Sequence, residues 1–188
     1  IAVMFTGDEE NAGDPKDTSR GDMVALAKKS DVALAFEGTV LDKEGRATAT
    51  VGRRSSSSFA LDVRGKQGHS SGIFGERAGY GAVYEAARIL DGFRQQVIEP
   101  DLTFNPGLIL GGTQVSYDEF GSRGTAIGKT NVIANTVTVK GDLRYLDNAQ
   151  RDRAHAKMRA IAAQSLPGTS ASISFHESYP PMAVTPGN

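Results

Sequence analysis

Three adjacent carboxylates, Asp8, Glu9 and Glu10, follow an apolar run at residues 1–5 and the Thr6-Gly7 step. Neighbouring like charges repel, so such a cluster is costly unless a cation neutralises it or one member holds a proton. Carboxylate oxygens ligate divalent cations, and a carboxyl of raised pKa serves as a general acid or base. The plainer alternative is an acidic loop cap ahead of a helix. A further acid, Glu37, closes the next apolar stretch at residues 31–36. If both stretches are strands of a mostly parallel sheet, their C-terminal ends share one edge, where open α/β sheets build their sites. Glu37 then joins Asp8, Glu9 and Glu10 in one place.

The remaining candidates are sparse. The chain holds three histidines, His69, His155 and His176. A catalytic zinc site normally takes histidine as well as carboxylate, yet no His-x-Asp and no closely spaced histidine pair occurs. His155 falls among charged neighbours and is expected on a solvated helix face, and His176 on the polar face of a strand. His69 differs, because it sits in the Gly-rich loop Gly65-Lys66-Gln67-Gly68-His69-Ser70-Ser71-Gly72. Such a loop can approach a ligand closely, although a loop or capping histidine is the default. Ser70 and Ser71 lack a Gly-x-Ser-x-Gly elbow, which argues against a serine hydrolase. Arg144, two residues beyond Asp142, either binds a carboxylate bidentately or belongs to a surface ion pair.

Composition narrows the classes. The absence of cysteine excludes thiolate metal sites, thiol catalysis and disulfides. A net charge of −1 with no basic stripe gives no electrostatic footprint for nucleic acid or a membrane surface. No apolar run approaches the ~20 residues of a membrane span. The chain opens inside an apparent strand and closes in a loop, so it is expected to be a fragment of a longer protein.

The elements that must position these residues follow from hydrophobic period. Residues 1–5 and 31–36 are expected as buried strands flanking a helix over 21–30 capped by Thr18 or Ser19, a right-handed βαβ unit. The run Ser55-Ser56-Ser57-Ser58 is expected as a hinge. Phe59, Leu61 and Val63 alternate with Ala60, Asp62 and Arg64 as a half-buried strand. A helix over about 77–96, a strand at 108–110, a long polar loop at 116–129, a strand at 136–145, a helix capped by Asp147 or Asn148, and a strand at 171–175 complete the chain. This β-α-β-β-α-β order is the ferredoxin-like pattern, an antiparallel sheet with both helices on one face.

Gly-Asp-Glu-Glu at one strand end, Phe36-Glu37 at the next, the Gly65-to-Ser71 loop, Asn131-Val132-Ile133 and Gly141-Asp142-Leu143-Arg144 together resemble the dinuclear zinc aminoacylase/carboxypeptidase family, which includes bacterial glutamate carboxypeptidase, acetylornithine deacetylase and succinyl-diaminopimelate desuccinylase. The resemblance runs from Thr6 to Pro181. It implies an α/β fold in which 1–57 is part of the catalytic domain with a hinge, 58–179 an inserted ferredoxin-like lid and dimerisation domain, and 180–188 a return linker. It implies Glu9 as general base, Glu10 and Glu37 as zinc ligands, and His69 as an oxyanion donor reaching the partner subunit's site. Asn131 and Arg144 are implied to hold the substrate's carboxylate, with Asn135 a rival to Asn131. The implied activity is zinc-dependent hydrolysis of an amide or peptide bond beside a carboxylate-bearing residue, by a homodimer. The first and last zinc ligands of that family have no counterpart here, which leaves a non-catalytic dimerisation module as the alternative.

Overall fold

A β-strand exists through its ladder, and that rule separates the two halves of this chain. The computed structural model describes residues 1–7, 13, 15–119 and 122–186. Its contacts divide the chain into two units, Ile1–Ala49 and Thr50–Asn188. In the first unit α1 (Lys16–Ser19) is followed by α2 (Gly21–Ala27), and β1 (Val40–Leu41) pairs with β2 (Ala47–Thr48). Thr18 and Ser19, expected to cap the helix at 21–30, lie inside α1 instead. Asp42 makes the β1–β2 turn by accepting from the backbone N–H groups of Glu44 and Arg46 and from Arg46 Nε. The Arg46 bonds hold its carboxyl below the ordinary value. Residues 1–5 and 31–36, expected as strands, form no ladder among the described residues. Phe5 and Phe36 are more than nine-tenths exposed, as side chains outside any ladder of the described residues.

The second unit keeps the expected β-α-β-β-α-β order in its main sheet and adds two strands between the second and third of them. Its elements are β3 (Ser56–Gly65), α3 (Gly81–Gln96), β4 (Thr103–Gly112), β5 (Gln114–Asp118), β6 (Arg123–Ile127), β7 (Thr136–Arg144), α4 (Asn148–Ala163) and β8 (Thr169–Tyr179). Four of the strands make one antiparallel sheet in the order β4-β7-β3-β8. Period-two alternation sends Phe59, Leu61, Val63, Val137, Val139 and Leu143 to one face. There they form a single core with Ala86, Ile89 and Phe93 of α3 and Ala154, Met158 and Ile161 of α4. Opposite Phe59 in the ladder stands Gly141, and the Phe59 ring occupies the space a side chain there would need. A fully buried Glu85 joins the helices: it binds Arg88 through two bonds and accepts from the Leu166 N–H, while Arg88 donates to the carbonyls of Ile161 and Gln164.

Three expectations fail here for identifiable reasons. The serine run is no hinge: Ser56–Gly65 is a strand, Ser57 Oγ donates to the Leu143 carbonyl, and buried Ser55 Oγ accepts from the Tyr145 N–H at 3.1 Å. Each hydroxyl stitches the chain to the end of β7, which composition alone does not reveal. The segment expected as a loop over 116–129 contains the β5–β6 hairpin. His155, expected in solvent, is buried on α4, stacked on Phe175 at 3.7 Å between centroids and edge-on to Tyr145.

That burial has a pH consequence. His155 Nε2 and Tyr145 Oη are buried without a hydrogen-bond partner among the described residues. Desolvation first, then the nearby Arg159 charge, hold the imidazole below its usual value of 6.5, with Glu177 acting against them. The unfolded chain therefore binds more protons in the window below pH 6.5, so His155 supports the fold fully above that pH and progressively less as pH falls. The Asp42, Glu99 and Asp152 carboxyls are lowered below ordinary carboxylate values and act in more acid solution. Denaturant unfolding compared at about pH 7 and about pH 5 should show lower stability in acid, and His155→Leu should flatten that difference. An unchanged pH slope in the variant would remove His155 as its source.

Candidate functional site

The loop carrying His69 is pinned at both ends. Gly65 ends β3 where the start of α3 presses on it: a side chain there would collide with the backbone at Gly81 and Ala82. From that crossing the loop runs antiparallel to residues 131–133. Ile133 N–H donates to the Gly68 carbonyl at 2.8 Å, and Ser70 N–H donates to the Asn131 carbonyl at 2.9 Å. His69 and Val132 form the bridge between these two bonds. His69 then caps the short 3₁₀ turn Ser70–Gly72 with extended backbone angles, φ −71° and ψ 139°. Its Nδ1 accepts from the Ser71 N–H at 3.2 Å and lies 2.8 Å from Ser71 Oγ. The side chain as a whole is exposed. With Nδ1 accepting, the neutral ring carries its proton on Nε2, which is a donor.

Asn131 is exposed on the strand-like segment that holds this loop. Asn135 is half-buried, and its backbone bonds Gly112 N-to-O and receives the Gly65 N–H. Its amide nitrogen, in the orientation hydrogen bonding requires, donates to the carbonyls of Thr113 (3.1 Å) and Gly112 (3.3 Å). The two asparagines thus divide: Asn135 ties β4 to the sheet, and Asn131 faces outward beside His69.

Arg144 is elsewhere. It is the last residue of β7, paired with Thr103, whereas Thr136 at the other end of β7 pairs with Arg64 beside the His69 loop. The rise of an extended strand separates those ends by about 26 Å. Arg144 Nε bonds both Asp142 oxygens, at 3.0 and 3.3 Å, and both side chains are nearly half exposed. An ion pair of that exposure is worth at most about 1 kcal/mol, so little holds the guanidinium back from another carboxylate. Glu37 is exposed in the Ile1–Ala49 unit, and Glu9 and Glu10 lie outside the described residues. Among the described residues no cluster of three or more His, Cys, Asp or Glu side chains could hold a metal.

The face of the sheet away from the helices carries a groove of about 480 Å³ lined by Ser58, Asn105, Tyr117, Lys140, Asp142 and His176. Its charges are matched internally, Lys140 by Glu119 at 2.5 Å and Asp142 by Arg144. His176, expected on the polar face of its strand, is exposed there. Sequence reasoning weighed Ser71 only as a nucleophile and missed its contact with His69 Nδ1. Its signal was position alone, two residues beyond a histidine at the start of a turn.

Residues 51–170 match the sequence profile of the family described as "Peptidase dimerisation domain". None of the curated proteins matches the chain. Solved structures do. A tripeptidase from Staphylococcus aureus is 19% identical with a TM-score of 0.52, the match covering 72% of this chain and 32% of that one. The aminopeptidase PepT from Bacillus cereus is 22% identical, TM-score 0.52, with 73% and 33% covered. An amidase of the hydantoinase/carbamoylase family from Burkholderia multivorans is 20% identical, TM-score 0.54, with 72% and 30% covered. At such identities the likeness is one of fold. The match spans about a third of the length of these proteins.

The two asparagines can be told apart by stability. Asn135→Ala removes the amide bonds to Gly112 and Thr113 and should cost about 1 kcal/mol in urea unfolding. Asn131→Ala, at an exposed site, should stay within about 0.5 kcal/mol of the parent. The opposite ranking would reverse their roles.

Proposed function

Since the chain belongs to the peptidase dimerisation-domain family, we propose that it is a segment of a zinc-dependent hydrolase that cleaves an amide or peptide bond beside a carboxylate-bearing residue. In this reading the Thr50–Asn188 unit is the lid through which two copies dimerise. The observation that carries the reading is the placement of His69 and Asn131 at one end of the sheet and Arg144 at the other. One subunit cannot bring both ends to one substrate. Two can.

The surface supports one pairing that would do so. β4 is an edge strand of ten residues, laddered to β7 on one side only among the described residues. An open edge of that length is a template for another strand. Beside it lies an apolar flank: Ile109 is 55% and Val83 51% exposed, and Val83 abuts Gly111 of β4. Ala87 and Leu90 continue that flank at helical spacing on α3. The other edge strand, β8, exposes Ser170, Ser172, Ser174 and His176. A two-fold axis perpendicular to the sheet pairs β4 with its copy antiparallel and keeps both α3 flanks on one side, so edge and flank are buried together. Antiparallel pairing sets each subunit's His69 end beside the partner's Arg144 end.

The roles are those the family resemblance implies, and the chemistry of each residue suits its role. Glu10 and Glu37 offer carboxylate oxygens suited to zinc and form part of a ligand set completed outside this chain. Zinc, when bound, polarises an amide carbonyl and activates water. Glu9 takes the proton from the attacking water on its carboxylate and delivers it to the leaving nitrogen. His69 donates its Nε2–H to the oxygen on which charge develops, a contribution of about 3 kcal/mol. Arg144 binds the substrate carboxylate through a planar fork, and Asn131 donates through its amide. A second reading, a dimerisation module without turnover, is favoured by the family description itself. An intact protein that binds no zinc would support it.

Two experiments test the proposal on the intact enzyme. Glu9→Gln should abolish turnover while metal content stays at the parent level, and near-parent rates would reject Glu9 as the base. Subunits carrying His69→Ala and subunits carrying Arg144→Ala should each form a weak homodimer. Mixed, they should regain activity, because one site in each mixed dimer has both residues. No recovery, with mixed dimers shown to form, would defeat the shared site.

A further inference from the structure

We propose that Ser71 is the positioning residue for His69, holding the imidazole as the neutral Nε2–H tautomer and fixing the direction in which that N–H points. The donor's task of His69 rests on the function proposed above, and its placement on the hydrogen bonds of its own loop. Two groups of one residue converge on one ring nitrogen: the Ser71 backbone N–H donates to Nδ1 at 3.2 Å, and the Ser71 hydroxyl lies 2.8 Å from the same atom, where it donates once Nδ1 is an acceptor. A ring nitrogen that accepts cannot carry the proton, so Nε2 must. In free histidine the two neutral forms interconvert, and only one presents a donor on the outward nitrogen.

The backbone supports that placement. The Ser70 N–H is spent on the Asn131 carbonyl and the Gly72 N–H on the His69 carbonyl at 3.0 Å, leaving the Ser71 N–H, between them, to the side chain. His69 is therefore held along its main chain by residues 131–133 and along its ring by Ser71. Two soft torsions remain in a histidine side chain, and the paired bonds to Nδ1 restrict both. An exposed donor held in this way loses little freedom when charge develops opposite it, the condition under which such donors are effective. Ser71 touches no reacting atom. It acts through His69 alone.

The test has two independent readouts. Long-range proton–nitrogen correlation spectra of this chain, with its three histidines, report which ring nitrogen of His69 carries the proton. The parent should give the Nε2–H pattern. Ser71→Ala, which keeps the N–H but loses the hydroxyl, should shift His69 toward a mixture, and Ser71→Thr should restore the parent pattern. In the intact enzyme Ser71→Ala should lower kcat roughly tenfold, the scale of losing an orienting partner behind a functional imidazole, while KM stays within about twofold because ground-state binding is untouched. Ser71→Thr should recover most of the loss. A parent spectrum with the proton on Nδ1, or a Ser71→Ala enzyme with unchanged kcat, would overturn the proposal. Full activity in His69→Ala would instead remove the donor role of His69, and the spectra would still decide whether Ser71 sets its tautomer.

Discussion

β3 is hydrogen-bonded along both edges, from Ser57 to Arg64 against β7 and from Ser56 to Gly65 against β8. That double ladder fixes everything else in the Thr50–Asn188 unit. It sets which side chains face the helices, because a one-residue slip would turn Phe59, Leu61 and Val63 out to water. It also sets where β3 ends, and so where the Gly65-to-Gly72 loop must leave the sheet. The crossing of that loop over the start of α3 leaves no room at Gly65 for a side chain. The position of His69 is thus inherited from strand register, and the direction of its ring is then refined locally by Ser71.

How much of this was legible beforehand depends on the kind of signal. The half-buried strands and the two long helices were readable because alternation and helical spacing are local properties of the chain. The serines at 55–58 were not, because what ties Ser55 and Ser57 to the sheet is the end of β7, nearly ninety residues away. The β5–β6 hairpin hid in a polar composition, its apolar members Val115, Tyr117 and Ile127 too few to stand out. His155 was misjudged by its charged neighbours in sequence, since Phe175 and Tyr145 cover it from other elements. The runs at 1–5 and 31–36 have strand composition without strand partners among the described residues.

The site divides along the same line. His69 could be singled out by its glycine-rich setting, but its weight, and that of Asn131 and Arg144, came from the resemblance and not from spacing. Geometry then sorted them. It set the His69 loop against residues 131–133 through the His69–Val132 bridge, assigned Asn135 to tying down β4, and set Arg144 at the far end of β7. Separation of residues expected to meet one ligand would be a contradiction in a monomer. In a two-fold assembly it is the arrangement that antiparallel edges produce.

The chain enters and leaves the sheet side by side. Arg53 and Met182 exchange backbone bonds at 2.7 and 2.8 Å, just before β3 begins and just after β8 ends. Because the first and last strands of the sheet are neighbours, the ladder cannot close until the last strand has been made. Folding must therefore wait on its most distant contacts, and the entropy of joining the ends falls on one late step. The return is a unit whose two ends meet at a single doorway, a shape that evolution can insert into, or lift out of, the loop of another domain without disturbing the sheet on either side.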